Sequence, residues 1–325
     1  MDRSVALSIA LVGATIGGVL AVAAPAAAQE FPTRSIRMVL PFPAGGGSDL
    51  VARIIAQKYS QQLGQQVIVD NRAGGGGTIG AEMAVRAAPD GYTVIMVSGS
   101  YGTNAALYSL PYDPVKDIQA IVMIGDTGFV LSLHPAVPAK SVQELITYAK
   151  ANPGKLNFAS TGTGGITHLA TELFNLLAAT KMTHIPYKGT GPAIADLLGG
   201  QVQLIFGAMP ATIPQVKAGK LRGLGVTTAK RIPALPDTPA IGEIVKDYEA
   251  PLWYGMWGPK GLPKPVITRL NAEMVKILQS PQGKTALAER GLEAVGSTPQ
   301  EYASQIRDEY NSYSRIAKAA NIRVD

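Results

Sequence analysis

An apolar run, Ile36-Arg37-Met38-Val39-Leu40, passes directly into Pro41-Phe42-Pro43-Ala44-Gly45-Gly46-Gly47-Ser48-Asp49 and then into apolar residues at helical spacing, Leu50, Val51, Ile54, Ile55 and Tyr59. That switch of periodicity joins a strand to a helix through a glycine-rich turn. Ser48 or Asp49 is placed to cap the helix. The glycines keep Cβ atoms off the turn, and the unpaired N–H groups of the first helical turn face outward, where an anion can meet them. Taken alone, the loop is equally well a plain strand-to-helix turn of an α/β protein.

The same pattern returns along the chain. Val67-Ile68-Val69-Asp70 leads into Asn71-Arg72-Ala73-Gly74-Gly75-Gly76-Gly77-Thr78, and Tyr92-Thr93-Val94-Ile95-Met96-Val97 opens into Ser98-Gly99-Ser100-Tyr101-Gly102-Thr103-Asn104. In an open parallel sheet the ligand crevice lies outside the carboxyl ends of the strands, so these three loops share one edge of it. A second unit begins with a capping box at Ser141-Val142-Gln143-Glu144. Strand Leu156-Asn157-Phe158-Ala159-Ser160 runs into Thr161-Gly162-Thr163-Gly164-Gly165-Ile166-Thr167-His168, and Leu169, Leu173, Leu176 and Leu177 read as the buried face of the next helix. His184-Ile185-Pro186-Tyr187 ends in Lys188-Gly189-Thr190-Gly191, and a strand over residues 202–206 ends in Gly207-Ala208-Met209-Pro210. Pro233, Pro236, Pro239 and Pro251 mark irregular backbone, Trp253-Tyr254-Gly255-Met256-Trp257-Gly258-Pro259 reads as an aromatic crossing segment, and three helices close the chain. The last three helices are expected to pack back on the first unit, leaving two lobes joined by two crossings and facing each other across a cleft.

With 325 residues the chain has the length of two domains of about 150 residues each. Residues 1–28, uncharged after Arg3 and ending in Ala26-Ala27-Ala28, are expected to be a signal peptide. Lobe 1 is then residues 29–130 plus 252–325, and lobe 2 residues 131–251. Export without a single cysteine is compatible with a bacterial periplasm and rules out a disulfide scaffold. Net charge is +6, but Lys and Arg are dispersed and do not alternate with aromatics, which argues against nucleic acid as a partner.

Catalytic sets are missing. The three histidines stand far apart with no H-E-x-x-H, so no metal site is expected. Gly283-Lys284-Thr285 ends like a phosphate loop, but Leu278 replaces its first glycine. Ser98-Gly99-Ser100-Tyr101-Gly102 has the outline of a nucleophile elbow with serine in the first glycine position. The expectation is a protein that is not an enzyme and carries no cofactor, with an exported hydrolase using Ser98 or Ser100 as the competing reading. His168 either meets a carboxylate or caps its helix and packs on the loop. Lys188 either reaches the cleft or stays on the surface, and Trp253 and Trp257 read as hinge or core packing ahead of a stacking platform.

The ordered set Pro41-Phe42-Pro43-Ala44-Gly45-Gly46-Gly47-Ser48-Asp49, Asn71-Arg72-Ala73-Gly74-Gly75-Gly76, Ser160-Thr161-Gly162-Thr163-Gly164-Gly165-Ile166-Thr167-His168, Pro186-Tyr187-Lys188-Gly189 and Gly219-Lys220-Leu221-Arg222 resembles the Bug family, the extracytoplasmic solute-binding proteins of tripartite tricarboxylate transporters. The resemblance covers essentially the whole chain after residue 28. It implies an α/β fold of the two-lobed periplasmic binding protein kind (type II-like), each lobe a central sheet flanked by helices, with the ligand in the cleft between the lobes. It also implies a carboxylate ligand, di- or tricarboxylate or aromatic, held mainly by backbone N–H groups of two strand-to-helix loops. Those loops match Ala44, Gly45, Gly46, Gly47, Ser48 and Asp49, and Thr161, Gly162, Thr163, Gly164, Gly165, Thr167 and His168. Phe42, Thr78, Ser98, Ser100, Tyr187, Lys188 and Ala208 complete the candidate ligand contacts. Relatives often carry an acidic residue where this chain has Ala208 and Met209, which here favours an uncharged, partly apolar wall. The implied partners are a large and a small permease subunit served by a monomer; a sensor kinase receiving the liganded protein is the alternative.

Overall fold

The computed structural model describes residues 31–319, so the expected signal peptide lies outside the described residues. The elements are β1 (Ile36–Leu40), α1 (Gly47–Leu63), β2 (Val67–Asn71), α2 (Thr78–Val85), β3 (Thr93–Ser98), α3 (Ser100–Leu107), β4 (Ile118–Thr127) and β5 (Phe129–Leu133). They continue with α4 (Val142–Ala151), β6 (Asn157–Ser160), α5 (Ile166–Ala178), β7 (Thr183–Pro186), α6 (Thr190–Leu198), β8 (Leu204–Ala208), α7 (Met209–Lys217) and β9 (Arg222–Val226). The chain closes with β10 (Leu252–Pro259), α8 (Lys264–Gln279), α9 (Pro281–Ala288), β11 (Glu293–Ala294) and α10 (Pro299–Ala319).

One sheet has the order β11-β4-β10-β3-β1-β2 and the other β7-β6-β8-β5-β9. The fold is α/β, two sheets flanked by helices, as expected. β1 lies between parallel partners β2 and β3, which covers both of its edges and calls for its nearly unbroken apolar sequence. Val51, Ala52, Ile55, Ala56, Tyr59 and Leu63 are the buried stripe of α1. β6 repeats the role of β1, paired in parallel with β7 and β8.

The sheets are joined twice. β4 ends at Thr127 and β5 starts at Phe129, so Gly128 alone makes the first passage, and residues 227–251 make the return. Thr227 laces the two together, its hydroxyl accepting from Phe129 N–H at 2.8 Å and donating to the Ala250 carbonyl at 2.7 Å. A Cβ on Gly128 would stand 2.8 Å from that hydroxyl, so glycine is what lets the strands pass so closely. Directly after it, Phe129 and Val130 pair with Ala208 and Gly207 of β8.

Several local expectations are corrected. The N-cap of α1 is Gly46, with no side-chain cap, instead of Ser48 or Asp49; the Asp49 carboxylate reaches back to Gly45 N–H instead. Residues 253–259, read as an aromatic crossing segment, lie in strand β10, buried at every position and antiparallel to β3 and β4. On α5 the buried stripe is Thr167, Ala170, Thr171, Phe174 and Ala178. Leu169, Leu176 and Leu177 lie exposed, because the small face of the helix allows close packing on β6 and β8 while Phe174 fills the space among Phe206 and Tyr248. Ser141 caps α4 as expected, accepting from Glu144 N–H, but the Glu144 carboxylate reaches Lys140 N–H instead of Ser141 N–H, so the box stays half made; Thr298 and Glu301 form a complete capping box ahead of α10. Helix α10 packs on α3 and β4, and α8 on α1 and β4. Among the described residues no helix is long and apolar enough to cross a membrane.

Candidate functional site

The carboxyl ends of β1, β2, β3, β6, β7 and β8 open onto one cavity of about 610 Å3. Phe42, Gly46, Gly47 and Ser48 enter its wall after β1, residues 74–77 after β2, and Ser98, Ser100, Asn104 and Tyr108 at the end of β3 and along α3. From the other sheet come residues 161–163 and 165–167 after β6, Tyr187 and Lys188 after β7, and Ala208 at the end of β8. Phe129, Leu252 and Tyr254 close it near the crossings.

Six helices, α1, α2, α3, α5, α6 and α7, begin at or within one residue of this wall. Their first-turn N–H groups have no carbonyl within the helix to bond, and each helix start carries partial positive charge. No lining residue is an aspartate or glutamate, and Lys188 is the charged one, with no ion pair among the described residues. The cavity is therefore an electropositive chamber with an apolar lining of Phe42, Phe129, Ile166, Leu252 and Ala208.

Much of the backbone in the two glycine loops is already engaged. Gly45 N–H bonds Asp49, Thr161 N–H bonds the Thr167 hydroxyl, Gly162 N–H bonds the Ser160 hydroxyl, Gly164 N–H bonds His168 and Gly165 N–H bonds the Gly162 carbonyl. Among the described residues, the donors left over are those of Gly46, Gly47, Ser48 and Asp49 in the first loop and of Thr163, Ile166, Thr167 and His168 in the second.

Most expected site residues reach the wall: Phe42, Gly46, Gly47, Ser48, Ser98, Ser100, Thr161, Gly162, Thr163, Gly165, Thr167, Tyr187, Lys188 and Ala208. The Tyr187 hydroxyl donates to Asp196 at 2.8 Å, so this residue offers the cavity its ring. Ala44, Gly45, Asp49, Thr78, Gly164 and His168 are not on the wall. Ala44 packs across toward Gly191, and Thr78 faces a smaller recess behind residues 76–77. Asp49 is turned inward, 3% exposed, and accepts from Gly45 N–H, Arg53 and Asn71 at 2.9–3.0 Å. Burial raises the carboxyl pKa, but the bonds from Arg53, Gly45 and Asn71 outweigh it and hold the group below its ordinary value.

Of the two readings of His168, the packed one holds. Its Nδ1 accepts from Gly164 N–H at 3.0 Å, and its ring stacks on His184 with centroids 3.8 Å apart and planes 9° off parallel. Burial, then the neighbouring His168, pushes the His184 ring down to about 4. Ser98 and Ser100 bond each other at 2.7 Å, and no histidine lines the cavity.

Sequence reasoning missed Asn104, Tyr108, Phe129 and Tyr254. Asn104 donates its amide to the Gly76 carbonyl, which can only accept, so its Oδ1 is the free end. The Tyr254 hydroxyl is buried beside Gly47 with no hydrogen-bond partner among the described residues. Neighbouring Ser98-Gly99-Ser100 pointed toward Asn104, whereas nothing local marks Phe129 or Tyr254.

The buried carboxylate makes a first prediction. Asp49→Ala is expected to lower stability by about 2 kcal/mol at pH 7, because it strands Gly45 N–H and the Asn71 amide. The folded-state pKa is depressed, so the contribution is present above the unfolded value of 3.8 and is lost as pH falls through the folded one. Urea unfolding at pH 7 and pH 3 checks this: the gap between wild type and variant narrows in acid.

A family model described as tripartite tricarboxylate transporter family receptor matches residues 51–322. Protein BugT of Bordetella pertussis is 36% identical over 307 residues, covering 93% of this chain and 94% of the relative. The solved structure of R. palustris Rpa4515 with adipate is 36% identical, with a TM-score of 0.86 over 90% of this chain and 99% of that one. MatC from Rhodopseudomonas palustris with bound malate is 29% identical, with a TM-score of 0.80 over 88% of this chain and 99% of that one.

Proposed function

Because this chain belongs to the tripartite tricarboxylate transporter receptor family, we propose that it is a periplasmic solute-binding protein that captures a carboxylate in the cavity and delivers it to the membrane subunits of such a transporter. The observation that carries this reading is the acid-free chamber at six helix starts with Lys188 on its rim. An anion there gains charge-assisted bonds from N–H groups of both sheets' loops, and only a closed arrangement supplies both sets. The adipate and malate held by relatives support a carboxylate as the ligand. The uncharged wall at Ala208 and the rings of Phe42 and Phe129 suit an acid with an apolar body, and Asn104 Oδ1 suits a hydroxyl or N–H on that body. The protein acts as a monomer and serves a permease of one large and one small subunit.

A titration panel tests the reading: adipate, malate, citrate, benzoate and 4-hydroxybenzoate, with putrescine as a cationic control. At a concentration 100 times Kd, a bound acid adds about 2.7 kcal/mol of stability, which raises Tm by about 5 °C or more. Putrescine leaves Tm unchanged. A flat response to every acid, in Tm and in calorimetry, refutes the carboxylate reading.

A further inference from the structure

The two loops that hold the helix starts are built alike, one from an aspartate and the other from a histidine. In the first, Gly45 sits at φ +81°, Gly46 is the extended N-cap of α1, and Asp49 Oδ2 accepts from Gly45 N–H at 3.0 Å. In the second, Gly164 sits at φ +74°, Gly165 is the extended N-cap of α5, and His168 Nδ1 accepts from Gly164 N–H at 3.0 Å. Neither N-cap has a side-chain cap. Both side chains stand at the third helical position and reach back four residues. Asp Oδ and His Nδ1 are each one bond beyond Cγ, so the two residue types have the same reach. The left-handed glycine turns the chain, and the bond from its N–H fixes that turn, so the N-cap and first-turn donors point into the cavity.

We infer that Asp49 and His168 are equivalent positioning residues, each stapling the glycine before its helix, and that the histidine staple alone is opened by a proton. This rests on the reading of the cavity as a carboxylate site. The Gly164 N–H is a donor, so Nδ1 of His168 is the lone-pair nitrogen and the ring proton is on Nε2, 3.8 Å from Glu172 Oε1. A second proton at Nδ1 sets an N–H against an N–H and breaks the staple. The groups facing this ring are His184 on β7, Glu172 on its own helix and Phe158 on β6, and His184 is in turn bonded to Ser160. Burial lowers the His168 pKa and Glu172 opposes it, with the net shift downward, so the staple is closed at neutral pH and opens only on the acid side. Asp49, ionised across that range, keeps its own loop closed.

The test compares wild type, His168→Asn and His168→Leu by NMR exchange of the Gly164 amide and by calorimetry with adipate and benzoate. The His168 ring is titrated in the same spectra from pH 7 downward. Asn presents Oδ1 where His presents Nδ1, so His168→Asn keeps the Gly164 amide protected throughout; wild type loses protection in step with protonation of its own His168 ring, and His168→Leu lacks it at every pH. With the acid that wild type binds, His168→Leu loses about tenfold in affinity at pH 7, while His168→Asn stays within about threefold and loses the acid dependence. Equal protection in all three proteins, or wild-type affinity in His168→Leu, overturns the inference. If wild type binds neither adipate nor benzoate, the carboxylate reading is what is at stake, and the amide exchange still decides the staple.

Discussion

Gly47→Val is expected to abolish ligand binding while leaving the protein folded. Gly47 is the first helical residue of α1 and lies on the cavity wall. A Cβ there would stand 2.9 Å from Ala208 Cβ, at the start of α7, and 3.1 Å from the Tyr254 hydroxyl. Ala208 belongs to the other sheet, so the added carbons act as a wedge between the loops of the two sheets. Ala208 and Tyr254 belong to the buried apolar cluster but also line the cavity, so the loops relieve the obstruction by moving apart on the cavity side. Moving apart separates the donors of α1 from those of α5, and an acid held by both loses at least one set of charge-assisted bonds. At about 1.5–3 kcal/mol each, two such bonds are worth a loss of about 100-fold or more. Calorimetry with the acid that wild type binds measures the loss, and the Tm of the unliganded variant, expected within a few degrees of wild type, reports on folding. Unchanged affinity in Gly47→Val would remove α1 from the site.

Glu309→Gln is expected to stabilise the protein at pH 8 and to leave it unchanged at pH 5. Glu309 lies on α10 where that helix packs on α3, and both its oxygens accept from Trp253 Nε1–H at 3.1 and 3.2 Å. No cation pairs with it among the described residues. Burial pushes its carboxyl up to about 7, with the Trp253 bond opposing the rise. Between the unfolded value of 4.5 and about 7, the folded state binds more protons than the unfolded one, so stability falls as pH rises through that window and stays low above it. The full penalty is at most about 3 kcal/mol. Gln keeps an acceptor for Trp253 and never ionises. Urea unfolding of both proteins at pH 5 and pH 8 settles it; a variant no more stable than wild type at pH 8 means that water or a rotamer change already relieves the charge.

What was legible in the sequence follows from the range of local rules. The strand, glycine turn and helix around Gly45 and Gly164 involve residues within a few positions of each other, and spacing alone exposes them. β4 and β5 escaped because Ile118 to Leu133 is mostly apolar on both faces, without the alternation that marks a half-buried strand, and Gly125-Asp126-Thr127-Gly128 in its middle reads as a turn although β4 runs on to Thr127. The leucines of α5 misled for the opposite reason. Their spacing is helical, but which face a helix buries depends on the space its neighbours leave, and Ala170 and Thr171 fit closer than leucine would.

The sequence by itself determined that glycine-rich strand-to-helix loops recur in two units, that no catalytic motif is complete, and that the chain resembles a carboxylate-binding family. Tertiary structure decided which groups face the cavity. Asp49 and His168 stand in the right loops yet turn inward, because a neighbouring glycine N–H must find an acceptor once the loop is folded. Phe129 and Tyr254 reach the cavity from strands far along the chain, where the sheets come together. Residue type and spacing specify what a loop can offer; the packing of partners up to 200 residues away decides what it has left to give.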